Sequence, residues 1–203
     1  MMLHCHNLLL NWITINMPHC SYLIQSLSDC NHFYIGYTTC VQRRLQQHNG
    51  ELSGGAHETK KHRPWALICY VSGFTSEIIG LQFEWAFQHP KRSKAFRDAL
   101  PGRMAITREL TAATFERDKT VVGYLRRIVI LLCETKFGNN SSLAESNSLD
   151  LHFSNHEIHG VFIQILEKFK REHERHANDS DDSDADRKAI CTELPSHINV
   201  IID

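Results

Sequence analysis

Apolar and polar positions alternate in two adjoining segments near the start of the chain. Ser21-Tyr22-Leu23-Ile24-Gln25-Ser26 reads as a strand and Ser28-Asp29-Cys30-Asn31 as its turn. His32-Phe33-Tyr34-Ile35-Gly36 reads as the returning strand, a hairpin with Tyr22 and Tyr34 available at one end. The spacing then lengthens. Val41 and Leu45, four apart, predict a helix from about Thr39 to His48, stopped by Asn49-Gly50. After a glycine-containing loop at Leu52 to Ala56, Trp65 to Val71 is nearly all apolar, which predicts a central strand. Thr75 or Ser76 can cap a helix running to about Gln88, and Pro90 ends it.

Beyond Pro101-Gly102 the pattern becomes helical. Ala105 to Ala113 is a possible helix, and Val121 to Cys133 is apolar enough for a helix or a strand. From Glu157 to His176, Ile158, Val161, Phe162, Ile165, Leu166 and Phe169 recur on one helical face, suited to packing on the domain or to a partner. The expected fold class is α+β: a small mixed sheet flanked by helices, then a helical C-terminal extension. The expected divisions are an N-terminal extension (1–18), the sheet-containing domain (19–100), a helical extension packed on it (101–137), a linker (138–156), the amphipathic helix (157–177) and an acidic, disordered tail (178–203).

A net charge of -1 conceals an uneven distribution. Between Arg43 and Arg108 there are eleven Lys or Arg against five Asp or Glu, whereas Asp179, Asp181, Asp182, Asp184 and Asp186 crowd together. The basic stretch can attract a polyanion that the acidic run repels. Seven cysteines include no Cys-x-x-Cys pair, and no run of eighteen apolar residues appears. Zinc fingers, a secreted disulfide framework and a membrane span are therefore not expected.

The chemistry-bearing residues lie within the basic stretch. Arg44 and His48 are four apart on one helix and share a face. Glu84 sits among Ile78, Ile79, Leu81, Phe83, Trp85 and Phe87, where a carboxylate needs a partner. Gly80, one turn away, would leave room beside it for a magnesium ion, which takes oxygen ligands and few carboxylates. A salt bridge from Glu84 to Arg43 or Arg44 is the plainer reading. Arg44 can meet a phosphate with a planar fork of donors, and His48 can transfer a proton or face the helix dipole. Tyr22 or Tyr34 would need electrostatic help to serve as a base. Arg43, Lys60, Lys61, Arg63, Lys91, Arg92 and Lys94 are candidate DNA-backbone contacts, or simply solvated surface.

Ser21-Tyr22, Tyr34-Ile35-Gly36, Arg44, His48-Asn49-Gly50, Gly54-Gly55-Ala56, Pro64-Trp65 and Phe83-Glu84-Trp85-Ala86-Phe87-Gln88-His89-Pro90 resemble the GIY-YIG nuclease superfamily. Gln46 to Gly50 and Phe83 to Pro90 more narrowly resemble the Slx-type catalytic subunit of the structure-specific endonuclease. The resemblance spans about Cys20 to Arg97. It implies metal-dependent cutting of 5' flaps, replication forks and Holliday junctions in nuclear DNA repair and recombination, with one Mg²⁺ or Mn²⁺ and activation by a large scaffold protein. By position, Tyr22 matches the water-activating tyrosine, Tyr34 the second-motif tyrosine, Arg44 the phosphate-contacting arginine, His48 the helix histidine and Glu84 the metal ligand.

Three departures stand out. Cys20 occupies the place of a glycine, and His57-Glu58 stand where an aromatic and an arginine are usual. The cysteine series of the family's C-terminal RING-type zinc domain is not found in this sequence. The expectation for a shortened form, as against an incomplete gene model, is that a scaffold binds another surface, with the Glu157 to His176 helix the candidate. The alternative expectation is a binding module with weakened catalysis.

Overall fold

The computed structural model describes residues 18–94, 96, 117–133, 149–179, 194 and 198–202. The expected Ala105 to Ala113 helix, the first seventeen residues and most of the acidic run lie outside them. The hairpin is present as β1 (His19–Ser26) and β2 (Phe33–Thr38), followed by α1 (Val41–Asn49). A short 3-10 helix (His57–His62) leads into β3 (Trp65–Phe74) and α2 (Glu77–Gln88). Then come α3 (Val121–Cys133), β4 (Leu149–Phe153), α4 (His156–Asp179) and β5 (Ile198–Ile202). The five strands form one mixed sheet in the order β2-β1-β3-β4-β5, antiparallel except for the parallel β4–β5 pair.

Burial explains the order. β1 is buried on both faces along most of its length, as befits a strand between two others. On one face Leu23, Cys69, Val71, Leu151 and Phe153 meet Phe83, Phe87, Leu125, Ile128 and Phe162 of the helices. This is the main core. The second face holds a smaller cluster of Tyr22, Ile24 and Trp65, packed against Tyr34, Leu45, Leu67 and Tyr70. It is less covered, and the candidate site lies there.

The structure resolves Val121–Cys133 as a helix whose residues from Tyr124 to Leu132 are buried except Arg126. A buried helix and a buried strand look alike in an apolar run, so only packing decides between them. Two corrections concern the C-terminal half. Leu149–Phe153 lies in the expected linker but is a strand, with Leu149, Leu151 and Phe153 buried and Asp150 and His152 on the other face. Its strict alternation was a strand signal diluted by the polar residues around it. Ile198–Ile202, in the expected tail, is an edge strand beside β4. A parallel pair requires a crossover, and α4 supplies it, packed against β4. Among the described residues, no helix is long and apolar enough to cross a membrane.

If β4 belongs to the cooperative unit, Leu151→Ala will lower the unfolding free energy by about 2–5 kcal/mol. Ile201→Ala, on the exposed edge strand, will change it by less than about 0.5 kcal/mol. Urea unfolding followed by circular dichroism measures both.

Candidate active site

The site begins with one close approach. Tyr22 of β1 pairs with Gly36 of β2, and the Tyr22 ring lies directly over that glycine. A Cβ on residue 36 would overlap the phenolic oxygen. Glycine there is what lets a buried tyrosine cross the hairpin. The Tyr22 hydroxyl then meets His48 Nε2 at 2.7 Å and accepts a bond from Arg44 Nε at 3.3 Å.

Helix α1 delivers both partners. Its only buried residue is His48, and Gly50 ends it in the left-handed conformation at φ 83°. Asn49 fixes that end to β3: its side chain accepts from the Trp65 amide at 2.7 Å and donates to the Trp65 carbonyl at 3.1 Å. Arg63 donates to the His48 carbonyl. It therefore clasps the helix end, unlike its expected role as a DNA contact on an open surface.

Hydrogen-bond direction around His48 follows from its other neighbour. Thr59 donates its hydroxyl to the Ala56 carbonyl at 2.8 Å, so its oxygen is left to accept from His48 Nδ1–H at 3.0 Å. His48 Nε2 then carries the lone pair, and Tyr22 donates to it. The charged imidazolium is disfavoured by burial, and further by Arg44 and Arg63, which push the His48 pKa down to about 4. Histidine here is a neutral acceptor inside the fold, not a helix-end cation.

Arg44 is held by three bonds: to Tyr22, to the Gln47 side-chain oxygen at 3.1 Å and to the Gly54 carbonyl at 3.1 Å. Burial raises the Tyr22 pKa above the phenol range, and Arg44 opposes that rise. Tyr34 is half-buried, also raised by burial and pulled back by Arg44. Its ring lies 5.0 Å from that of His48 and 6.5 Å from that of Tyr22. Glu84 is half-buried on α2, raised by burial and lowered by Arg44 and a bond from Gln88. Gln88 donates to Glu84 Oε1 at 2.9 Å and to the Ile35 carbonyl at 3.0 Å, tying α2 to β2. The space expected above Gly80 is filled by the Tyr37 ring, so that glycine serves packing and not a metal ion.

Tyr22, Tyr34, Arg44, His48 and Glu84 are thus linked by contact or by charge. Among the expected DNA contacts, Arg43, Lys60, Lys61, Lys91, Arg92 and Lys94 are exposed. Cys20 is a buried strand residue whose thiol is pushed up to about 12 by burial and by Cys40, hence an uncharged packing group. Exposed Glu58 lies near enough to Tyr34 for its charge to add to the rise in that phenol's pKa.

Against known proteins, residues 18–97 match the family model described as the GIY-YIG catalytic domain. This stretch is a GIY-YIG domain similar to those of Slx1 subunits. It is 38% identical over 118 residues to structure-specific endonuclease subunit slx1 of Schizosaccharomyces japonicus, covering 58% of this chain and 40% of that protein. It is 33% identical over 182 residues to subunit SLX1 of Vanderwaltozyma polyspora, covering 82% and 54%. A Trypanosoma cruzi SLX1 homolog is 53% identical over 78 residues, 37% of this chain and 15% of the homolog. The chain therefore spans about half the length of these relatives or less.

Sequence reading of the GIY-YIG domain missed Thr59 and Gln88, ordinary polar residues whose roles exist only once β1, α1 and α2 converge. It also missed a group able to coordinate a metal ion, formed by Asp29, His32 and His62. His32 lay in an assumed strand and His62 in a basic run.

Gly36→Ala will displace the Tyr22 ring and cost about 1–3 kcal/mol, the usual penalty of overpacking; tyrosine fluorescence and urea unfolding measure it. Because His48 is depressed from 6.5 to about 4, the unfolded chain binds more protons between those values. Stability is full above pH 6.5 and is lost as pH falls towards 4. In a pH series of urea titrations, His48→Gln will flatten this dependence.

Proposed function

We propose that the chain is a catalytic subunit that hydrolyses phosphodiester bonds in branched DNA, and that Tyr22, Arg44, His48 and Glu84 carry the reaction. The observation that carries this reading is the buried Tyr22–His48 hydrogen bond beside Arg44. A tyrosine that donates to a neutral histidine while accepting from an arginine is arranged to receive a proton at its oxygen as it gives one up.

In this mechanism the scissile phosphate sits against Arg44, whose planar fork neutralises charge developing on phosphorus. A water opposite the leaving oxygen attacks the phosphorus as it loses a proton to the Tyr22 oxygen, and the P–O bond to the leaving oxygen breaks. Tyr22 passes its own proton to His48 Nε2, and Thr59 steadies the imidazolium through Nδ1–H. Tyr34, more open than Tyr22, orients the water at the rim. The donor set fits one hard divalent ion: a half-buried carboxylate, with phosphate oxygens and water completing the coordination. Glu84 would hold Mg²⁺ or Mn²⁺, which supplies Lewis-acid stabilisation of the leaving oxygen.

The proteins matched here are named as structure-specific endonuclease subunits. Branched DNA as substrate, a scaffold protein as partner and a nuclear setting in repair are the corresponding proposals for this chain. Exposed Arg43, Lys60, Lys61, Lys91, Arg92 and Lys94 supply sequence-independent backbone affinity. A binding module with weakened catalysis is the second reading, favoured by one observation: Glu58 places an exposed carboxylate near Tyr34, where phosphate must approach.

With labelled 5'-flap and Holliday-junction DNA, Mg²⁺ or Mn²⁺ and the scaffold, wild type will cut. Arg44→Ala and Glu84→Ala will each lose about 10²–10³-fold or more in rate, and Tyr22→Phe will lose more than Tyr34→Phe. Salt-sensitive binding without cutting by wild type would establish the second reading.

A further inference from the structure

Asp29 and His32 stand in the β1–β2 turn, and His62 ends the 3-10 helix thirty residues later in the chain. The fold brings them together. Their ligand atoms lie within 4.8 Å of one another, and His32 Nδ1 is 2.7 Å from Asp29 Oδ2. The two imidazole rings stack with centroids 3.6 Å apart and planes inclined by 17°. We propose that Asp29, His32 and His62 bind one zinc-class divalent cation, which clips the hairpin turn to the 3-10 helix.

The donor set selects the ion. Two imidazole nitrogens and one carboxylate oxygen suit a borderline metal and are poor ligands for magnesium, which demands oxygen. Metal–ligand bonds of about 2.0–2.2 Å in a tetrahedron put neighbouring ligand atoms about 3.4 Å apart. Because each imidazole lone pair lies in its ring plane, one of the two stacked rings must turn out of the stack to reach that geometry, and water would take the fourth position.

The site is distinct from Glu84. Asp29 and His32 lie beyond the Gln25–Phe33 pair, three register steps from Tyr22–Gly36, or about 10 Å along the strand. Its influence on the catalytic groups runs through the 3-10 helix. His62 is at that helix's end and Thr59, which holds His48 Nδ1, is one turn earlier. Trp65, whose ring meets His62 edge-on, donates to the Thr59 carbonyl at 2.8 Å. A cation joining residues 29, 32 and 62 limits the motion of the segment that fixes the histidine tautomer.

The test is calorimetric titration of the full chain with zinc alone, in buffer containing excess Mg²⁺, together with His32→Ala, His62→Ala and, as control, His57→Ala. His57 is exposed in the same 3-10 helix and outside the cluster. Wild type and the control will show one tight site. The His32 and His62 variants will bind at least about 100-fold more weakly, since losing a ligand exceeds the 10- to 100-fold cost of losing an outer-shell partner. Zinc will raise the Tm of wild type and control only, and will slow hydrogen exchange at the Thr59 amide. With Co²⁺, wild type will give the visible bands of a four-coordinate nitrogen and oxygen site. Identical isotherms for all four proteins, or a Co²⁺ spectrum dominated by thiolate charge transfer, would overturn the proposal. All these readouts are independent of DNA cutting.

Discussion

The buried bond between Tyr22 and His48 is the constraint on which the rest of the site depends. A phenol and an imidazole can share a dry location only if each polar atom finds a partner, because an unmet one costs about 1–3 kcal/mol. The chain meets that demand from four directions. Gly36 gives the ring its place, Arg44 and His48 satisfy the phenolic oxygen, Thr59 satisfies Nδ1, and the Ala56 carbonyl orients Thr59. Stability and chemistry here share a cause: the contacts that make the histidine neutral also leave its lone pair facing the tyrosine.

The main core has a different task. The helices on the opposite face hold the sheet rigid, so β1, β2 and β3 keep their register while the site face stays partly open. One-residue slippage of β1 against β2 would turn Tyr22 into the core and lift it from Gly36. Asn49 and Gln88 complete the positioning by bonding to backbone on Trp65 and Ile35, so that α1 and α2 each carry one side chain that measures distance to the sheet.

Most of the N-terminal half was legible in the sequence because local signals agreed. The hairpin alternation, the α1 spacing of Val41 and Leu45 and the capped helix carrying Glu84 each predicted an element that the structure contains. Beyond residue 100 the signals conflicted. Leu149–Phe153 is too short to stand out from its polar surroundings, and Ile198–Ile202 becomes a strand only because β4 offers an edge. Single residues failed for a related reason. Arg63 resembles any exposed base until α1 ends against it, and Gly80 resembles a vacancy until Tyr37 fills it. Thr59 has no motif; its role is a direction of hydrogen bonding, which exists only in three dimensions.

Electrostatics separates the two metal sites proposed within one small domain. Glu84 would be a lone hard oxygen ligand in a half-buried place, where Arg44 and Gln88 oppose the rise that burial gives its pKa. Such a site gains affinity when a phosphate brings further oxygens and negative charge, so ion and substrate favour each other's binding. The Asp29, His32 and His62 group is the opposite case: three protein ligands that could hold an ion without substrate. In the proposed scheme an ion at the first would serve bond cleavage, while an ion at the second would be structural. Because Thr59 lies between His62 and His48, an ion at the second would tighten the proposed proton path of the first without touching the DNA.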